Sequence, residues 1–294
     1  MSKKTKMGIF SFLKPKSETP PNTYLILDLG TSAIKCLIVK NSITDRKGFI
    51  IGYGTHSLPP NSNLAGQILD IHAYTDAVSL AIDKAVNLAG QKPINTITGL
   101  AGPKIINHIN QQKFTRSKPQ QKITTDELQI IFRQIESQSR KIINSQQNAN
   151  HVELINAAIL KITIDDTEIT NPLDFTGKDL NITYFVSYAP SLQLNALQSV
   201  IDECKLNLVS IINEPYSLVK SIDQQNYLYK NSLFIDIGDD LTNISQISAG
   251  QIIHVGSYQS GGRQFTNLLA ENLSVSHAKA EQYKLDYCSE LLSA

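Results

Sequence analysis

Two stretches decide how this chain reads: YLILDLGTSAIKCLIV at 24–39 and LFIDIGDDLTNISQI at 233–247. Each opens on an apolar run of strand length, passes through Asp-x-Gly (Asp28-x-Gly30 and Asp236-x-Gly238), and resumes as a second strand-like run. The two aspartates are 208 residues apart. Each copy then turns, around Asn41–Gly48 or Ser248–Gln251, into a third strand-like run, FIIGYGTHSL or IIHVGSYQS. A helical segment comes after each, near 72–90 and near 262–273. A plan repeated at fixed spacing reads as an internal duplication of a three-strand meander plus helix, the basis of an α/β fold with duplicated lobes.

The chain between the copies carries further elements. Thr96–Ala101 reads as a short strand. Residues 107–122, polar and basic with Pro119, read as an exposed loop, and Lys113, Arg116, Lys118 and Lys122 as its solvated charges. Thr124-x-x-Glu127 has the form of a capping box, opening a helix whose Leu128, Ile131, Phe132, Ile135, Ile142 and Ile143 fall largely on one face. Residues 152–164 and 181–189 read as strands and 191–205 as a helix. Leu208–Ile212 reads as a buried strand, and Glu214-Pro215 starts the next helix with proline in its first turn.

Composition limits the classes available. The 294 residues carry 27 Lys+Arg against 26 Asp+Glu and are 41% hydrophobic, a balance that suits a folded protein of about two domains. The near-zero charge argues against a dedicated nucleic-acid binder. No run of about 18 uncharged apolar residues exists to span a membrane as a helix. The charge is uneven: residues 1–22 hold five lysines and one glutamate, a local +4 that leaves −3 for the rest. With three prolines, this opening reads as a flexible basic tail, or as a weak membrane-surface contact through Ile9, Phe10, Phe12 and Leu13. Cys36, Cys204 and Cys288 are scattered and odd in number, the pattern of thiols in a reducing compartment. The six histidines have no catalytic or metal-ligating spacing.

The paired loops carry the chemistry. Gly30-Thr31-Ser32 after a buried strand presents backbone N–H groups and two hydroxyls, a concavity suited to phosphate oxygens. Asp28 and Asp236, at strand ends, are placed to hold Mg²⁺ through waters. Two such loops facing each other would clamp a nucleotide's phosphates. Beside that stands the plainer reading, since Asp-x-Gly is common at turns.

These loops, with IINEP at 211–215 between them, resemble the actin-like ATPase superfamily: actin, MreB, the seventy-kilodalton heat-shock chaperones and FtsA. Residues 151–222, including Asn171-Pro172 to Gly177, resemble the FtsA family. So do residues 252–284, with Gly261-Gly262 before a helix and Ala280-Glu281-x-x-Lys284 after it. The resemblance covers about 23–290. It implies an actin-like, ribonuclease H-like α/β fold: a first lobe at 23–98 and 181–228, an FtsA-type α+β insert at 99–180, and an incomplete second lobe at 229–294. By position it implies that Gly30, Thr31, Ser32 and Lys35 form the first phosphate loop and Gly238, Asp239 and Thr242 the second. Asp28 and Asp236 would be the carboxylates near Mg²⁺, and Glu214 the residue that orients the attacking water. Gly261 and Gly262 would allow close approach to ATP, and Glu281 and Lys284 would lie near ribose and adenine. From the residues alone, Glu214 is equally a first-turn acid complementing the helix dipole, and Glu281 and Lys284 a solvated helix face.

Two departures bear on function. Relatives write the second loop DIGGGTTD, whereas this chain has DIGDDLTN. Asp240 replaces a glycine, adds negative charge beside the phosphates and is ill suited to a positive φ. That predicts at most weak ATP turnover. FtsA relatives also continue for more than a hundred residues beyond the AE-x-x-K motif, through the rest of the lobe and a C-terminal amphipathic membrane helix. The expectation is a C-terminally truncated FtsA-like protein. By resemblance it binds ATP and Mg²⁺, self-associates into filaments and links FtsZ to the inner membrane surface, a cytoplasmic protein peripheral at the inner face of the membrane at the division site, without nucleic acid. The alternatives are a PilM-like cytoplasmic scaffold of type IV pilus assembly, or a small-molecule kinase of the superfamily.

Overall fold

The computed structural model describes residues 22–42, 47–145, 151–222 and 230–292. The basic tail expected at 1–22 lies outside the described residues, apart from Asn22, as does the middle of the turn at Asn41–Gly48.

The first strands are β1 (Thr23–Leu29), β2 (Ala33–Ser42) and β3 (Lys47–Ser57), an antiparallel meander in which Asp28 stands opposite Lys35. Two two-residue strands, β4 (Asn63–Leu64) and β5 (Gln67–Ile68), form a small hairpin before helix α1 (Ile71–Ala89). Asp70 caps α1 by accepting the Ala73 N–H at 3.0 Å, and Gly90 ends it in the left-handed conformation, φ 68°. Tyr74, Ala77, Val78, Ala81, Ile82 and Ala85 recur at helical spacing and are buried. The alanines meet glycines: a Cβ at Gly54 would stand 2.0 Å from the Ala81 carbonyl oxygen, and one at Gly52 2.2 Å from that of Ala85. Helix and strand therefore pack backbone to backbone.

Strand β6 (Asn95–Leu100) pairs parallel with β1. The chain then leaves this sheet through β7 (Ile106–Thr115), α2 (Thr125–Asn144), β8 (Val152–Ile164), β9 (Thr167–Ile169) and β10 (Asp179–Pro190). It returns by α3 (Ser191–Glu203) to β11 (Asn207–Asn213), parallel to β6. The five-stranded order is β11-β6-β1-β2-β3, with β1, β2, α1 and α3 sharing one core. The excursion forms a second sheet, β7-β10-β8-β9, covered by α2.

Here the structure corrects three readings. Residues 106–115 form strand β7 rather than an exposed loop, paired along its length with β10. The strand read at 181–189 as part of the first lobe lies in the inserted sheet. The capping box is only half made: Thr124 accepts the Glu127 N–H at 3.3 Å, but the Glu127 carboxylate turns to Arg116, Nε–Oε1 2.7 Å and Nη2–Oε2 2.9 Å. Arg116 is buried, not solvated, and also donates to the carbonyls of Gly177 and Gln121. A buried guanidinium must find partners, and the carboxylate three residues into the helix is the nearest available anion.

After helix α4 (Glu214–Ser221), the second meander is β12 (Ser232–Ile237), β13 (Thr242–Ser248) and β14 (Gln251–Tyr258). Its first pairing repeats that of β1 and β2: Asp236 opposite Asn243 as Asp28 is opposite Lys35, and Ile237 opposite Thr242 as Leu29 is opposite Ile34. One face, with Ile247, Ile252 and Val255, packs on α4 and on Phe185 of the inserted sheet. The helices after the second meander do not repeat the plan. Helix α5 (Gly262–Leu273) packs chiefly on α6 (His277–Leu292), where α1 packs on β2 and β3. Leu25, Leu27 and Leu29 are accordingly buried while their counterparts Leu233, Ile235 and Ile237 are exposed. No helix among the described residues is long and apolar enough to cross a membrane.

Candidate functional site: two facing loops and a raised glutamate

The duplicated strands deliver their loops to one cleft. Lys35 Nζ pairs with Asp28 Oδ2 at 2.9 Å, and in the second copy Asn243 Nδ2 donates to Asp236 Oδ2 at 3.2 Å. The cross-strand position that carries a cation in the first lobe thus carries a neutral amide in the second. The Lys35 pKa is raised, first by its hydrogen bond and charge interaction with Asp28, then by the charges of Asp236 and Glu214.

Glu214 begins α4 on the cleft floor. Asn213 fixes that helix start by accepting the Tyr216 N–H at 3.0 Å, while its Nδ2 donates to Asn107 Oδ1 at 2.9 Å and Ser187 Oγ at 3.2 Å. The helix bearing Glu214 is therefore wired to the inserted sheet. Its side chain is half-buried but closely hemmed in, so desolvation leads in pushing its pKa up to about 8, followed by the charges of Asp28 and Asp236 and opposed by Lys35. Gly99 makes the space: a Cβ there would stand 2.5 Å from Glu214 Cγ and 2.6 Å from Oε1. Burial and the neighbouring carboxylates thus favour the protonated form of Glu214.

The loops themselves touch. Asp240 donates its backbone N–H to Thr31 Oγ1 at 3.2 Å, and its carboxylate accepts the Ala65 N–H at 2.7 Å. Arg263 pairs with the Asp239 carboxylate and donates to the Thr31 carbonyl at 3.3 Å. Gly262 donates its N–H to the Gly238 carbonyl at 2.9 Å, and a Cβ at Gly261 would stand 2.5 Å from the Asp239 carbonyl oxygen, so α5 starts hard against the second loop. Asp240 does not adopt the positive φ that a glycine-type position predicts.

The remaining expected residues have other engagements. The Thr242 hydroxyl donates to the Ser260 carbonyl at 2.6 Å, and the Ser32 carbonyl accepts the Leu58 N–H at 2.8 Å while that residue is exposed. Glu281 and Lys284 pair at 2.7 Å on α6, and both reach Thr266 of α5. Lys284 also lies 3.4 Å from the Gly262 carbonyl, which ties the pair to the second loop's rim. Sequence reasoning missed Arg263, Gly99 and Ala65. Arg263 comes directly after Gly261-Gly262 and was legible there; nothing local marks the other two.

Asp28 and Asp236 set two carboxylates against Lys35, with the Glu214 carboxyl beside them, an excess of negative charge that a divalent cation would relieve. Among the described residues no cluster of three or more His, Cys, Asp or Glu side chains forms a ready metal cage.

The five-stranded sheet, the repeated meander and the facing loops define an actin-like fold of duplicated α/β lobes carrying a small α+β insert. A solved PilM–PilN type IV pilus biogenesis complex matches 91% of this chain and 70% of its own at a TM-score of 0.64 and 17% identity, a likeness of fold. Within that class the chain is similar in sequence to FtsA proteins. It is 27% identical to the cell division protein FtsA of Neisseria meningitidis over 267 residues, 89% of this chain, and 25% identical to that of Pseudomonas aeruginosa over 270 residues, 90% of this chain. It spans 60% and 61% of the length of these curated relatives. No protein-family model matches the chain.

Proposed function

We propose that this chain is a nucleotide-binding, actin-like protein of cell division. It takes the phosphates of ATP or ADP, with Mg²⁺, between Gly30–Lys35 and Gly238–Thr242, self-associates, and works with FtsZ at the inner face of the membrane. The observation that carries this reading is the meeting of two duplicated loops over Glu214, in a chain similar to FtsA over about nine-tenths of its length. Lys35 would face the phosphates, Asp28 and Asp236 would hold the hydrated cation, and Glu214 would orient water. Hydrolysis is slow at best, because Asp240 adds a carboxylate to the second loop, beside the phosphates, where relatives carry glycine.

Titration calorimetry with Mg-ATP and Mg-ADP, on the protein and on Lys35→Met, tests the nucleotide site. Saturable binding weakened at least tenfold by the substitution supports it; heats that Lys35→Met leaves unchanged sink it. Co-sedimentation with FtsZ filaments tests the partner. Retention instead by a cytoplasmic segment of a pilus membrane protein would move the reading to a PilM-like scaffold.

A further inference from the structure

The contact between the two loops leaves no room for a phosphoryl group between Thr31 and Asp240. A phosphoryl group between two donors separates them by roughly 5 Å, because each makes its own hydrogen bond of about 2.8–3 Å to a different oxygen. Here the Asp240 N–H donates directly to the Thr31 hydroxyl oxygen at 3.2 Å, so the two groups that would face a phosphoryl group face each other. The Asp240 carboxylate also crosses the cleft to the Ala65 N–H at 2.7 Å, an anion accepting a backbone donor from the opposite lobe. Beneath the contact Leu241 is buried with Ala65 and Ala101, so a small apolar seal backs the polar one. Asp239 does not compete, since Arg263 holds its carboxylate.

We propose that Asp240 is the specificity determinant of the cleft: its carboxylate stands in for a terminal phosphate, so that the site accepts a nucleoside diphosphate and disfavours a triphosphate. This rests on the reading of the cleft as a nucleotide site. A third phosphate would have to break both the Thr31 and the Ala65 contacts and then sit beside an unpaired carboxylate. A diphosphate reaching only Lys35 and the first-loop N–H groups leaves the pair intact. Breaking a charge-assisted hydrogen bond and adding a like charge each weigh about tenfold in affinity, so a selectivity of about ten- to a hundredfold for diphosphate is expected.

The test is the ratio of Mg-ADP to Mg-ATP affinity by calorimetry, in the protein and in Asp240→Gly and Asp240→Asn, with hydrogen exchange of the segment around Ala65 measured in parallel. Expected are a preference for Mg-ADP in the unaltered protein, a ratio near one in Asp240→Gly, an intermediate ratio in Asp240→Asn, and faster exchange at Ala65 in Asp240→Gly. Equal affinities in the unaltered protein, or a ratio that Asp240→Gly leaves unchanged, would overturn the proposal while leaving the nucleotide site standing. No binding of either nucleotide to any of the three proteins would overturn the nucleotide reading itself, and the assignment of selectivity with it. Should Asp240→Gly fail to fold, the ratio in Asp240→Asn decides alone.

Discussion

Leu27 and Ile235 occupy the same position in two copies of one strand, yet Leu27 is 1% exposed and Ile235 53%. The difference lies in the helices. Helix α1 lies back on its own meander with an alanine stripe, and α3 joins it in the same core, whereas α5 turns away to pair with α6.

Truncation at these two sites should therefore differ sharply. Leu27→Ala leaves a cavity in the first core and is expected to destabilise by about 3 kcal/mol. Ile235→Ala should change stability by less than about 0.5 kcal/mol. Urea denaturation of both variants under one condition checks the pair, and equal losses would mean that the Ile235 face is covered in solution.

Glu214 should make stability fall as pH rises. Its folded pKa, about 8, lies above the ordinary 4.5, so the folded state binds the proton more tightly. Stability from this group is fully present below about pH 4.5 and is lost as pH climbs through about 8. Relative to Glu214→Gln, the unaltered protein should lose about 3 kcal/mol or slightly more between pH 5 and pH 8. Parallel pH–stability curves for the two proteins would contradict this.

Gly99→Ala should disturb the same carboxyl without touching it chemically. The added methyl meets Glu214 at Cγ and Oε1, and either the side chain or strand β6 must move. A loss of about 1–3 kcal/mol is expected from the overpacking. It should be smaller in a Glu214→Ala background, where the clash is gone, and a double-mutant cycle by thermal denaturation measures that relief.

Arg116→Ala should be among the most damaging single changes in the insert. It leaves Glu127 without its bidentate partner and strips a donor from the Gly177 and Gln121 carbonyls. The expected loss, read by urea denaturation, is about 3 kcal/mol. Arg116→Lys should recover only part of it, because an ammonium cannot fork to both carboxylate oxygens.

Much of this architecture was legible in local pattern. Strand-length apolar runs, the Asp-x-Gly turns and the 208-residue offset are properties of consecutive residues, and the repeated register of Asp28 with Lys35 and Asp236 with Asn243 arises from them. Helix starts at Asp70, Thr124 and Asn213 obey the same logic, each side chain accepting a nearby backbone N–H. Strand β7 was not legible, because an edge strand facing solvent with asparagine and glutamine looks like a loop until its partner β10 is known. Arg116 misled for the converse reason: charge predicts solvent unless an anion is waiting, and Glu127 is brought to it only by the fold.

The duplication, the loops and the carboxylates they carry can be read from the chain alone, because each depends on neighbours a few residues apart. It takes the fold to show that Gly99 makes room for Glu214, that burial and two aspartates raise the Glu214 pKa, and that Asp240 reaches Thr31 and Ala65 across the cleft. Those facts depend on burial and on groups that the fold brings together from separate segments, and no local pattern encodes the dielectric or the distance between them.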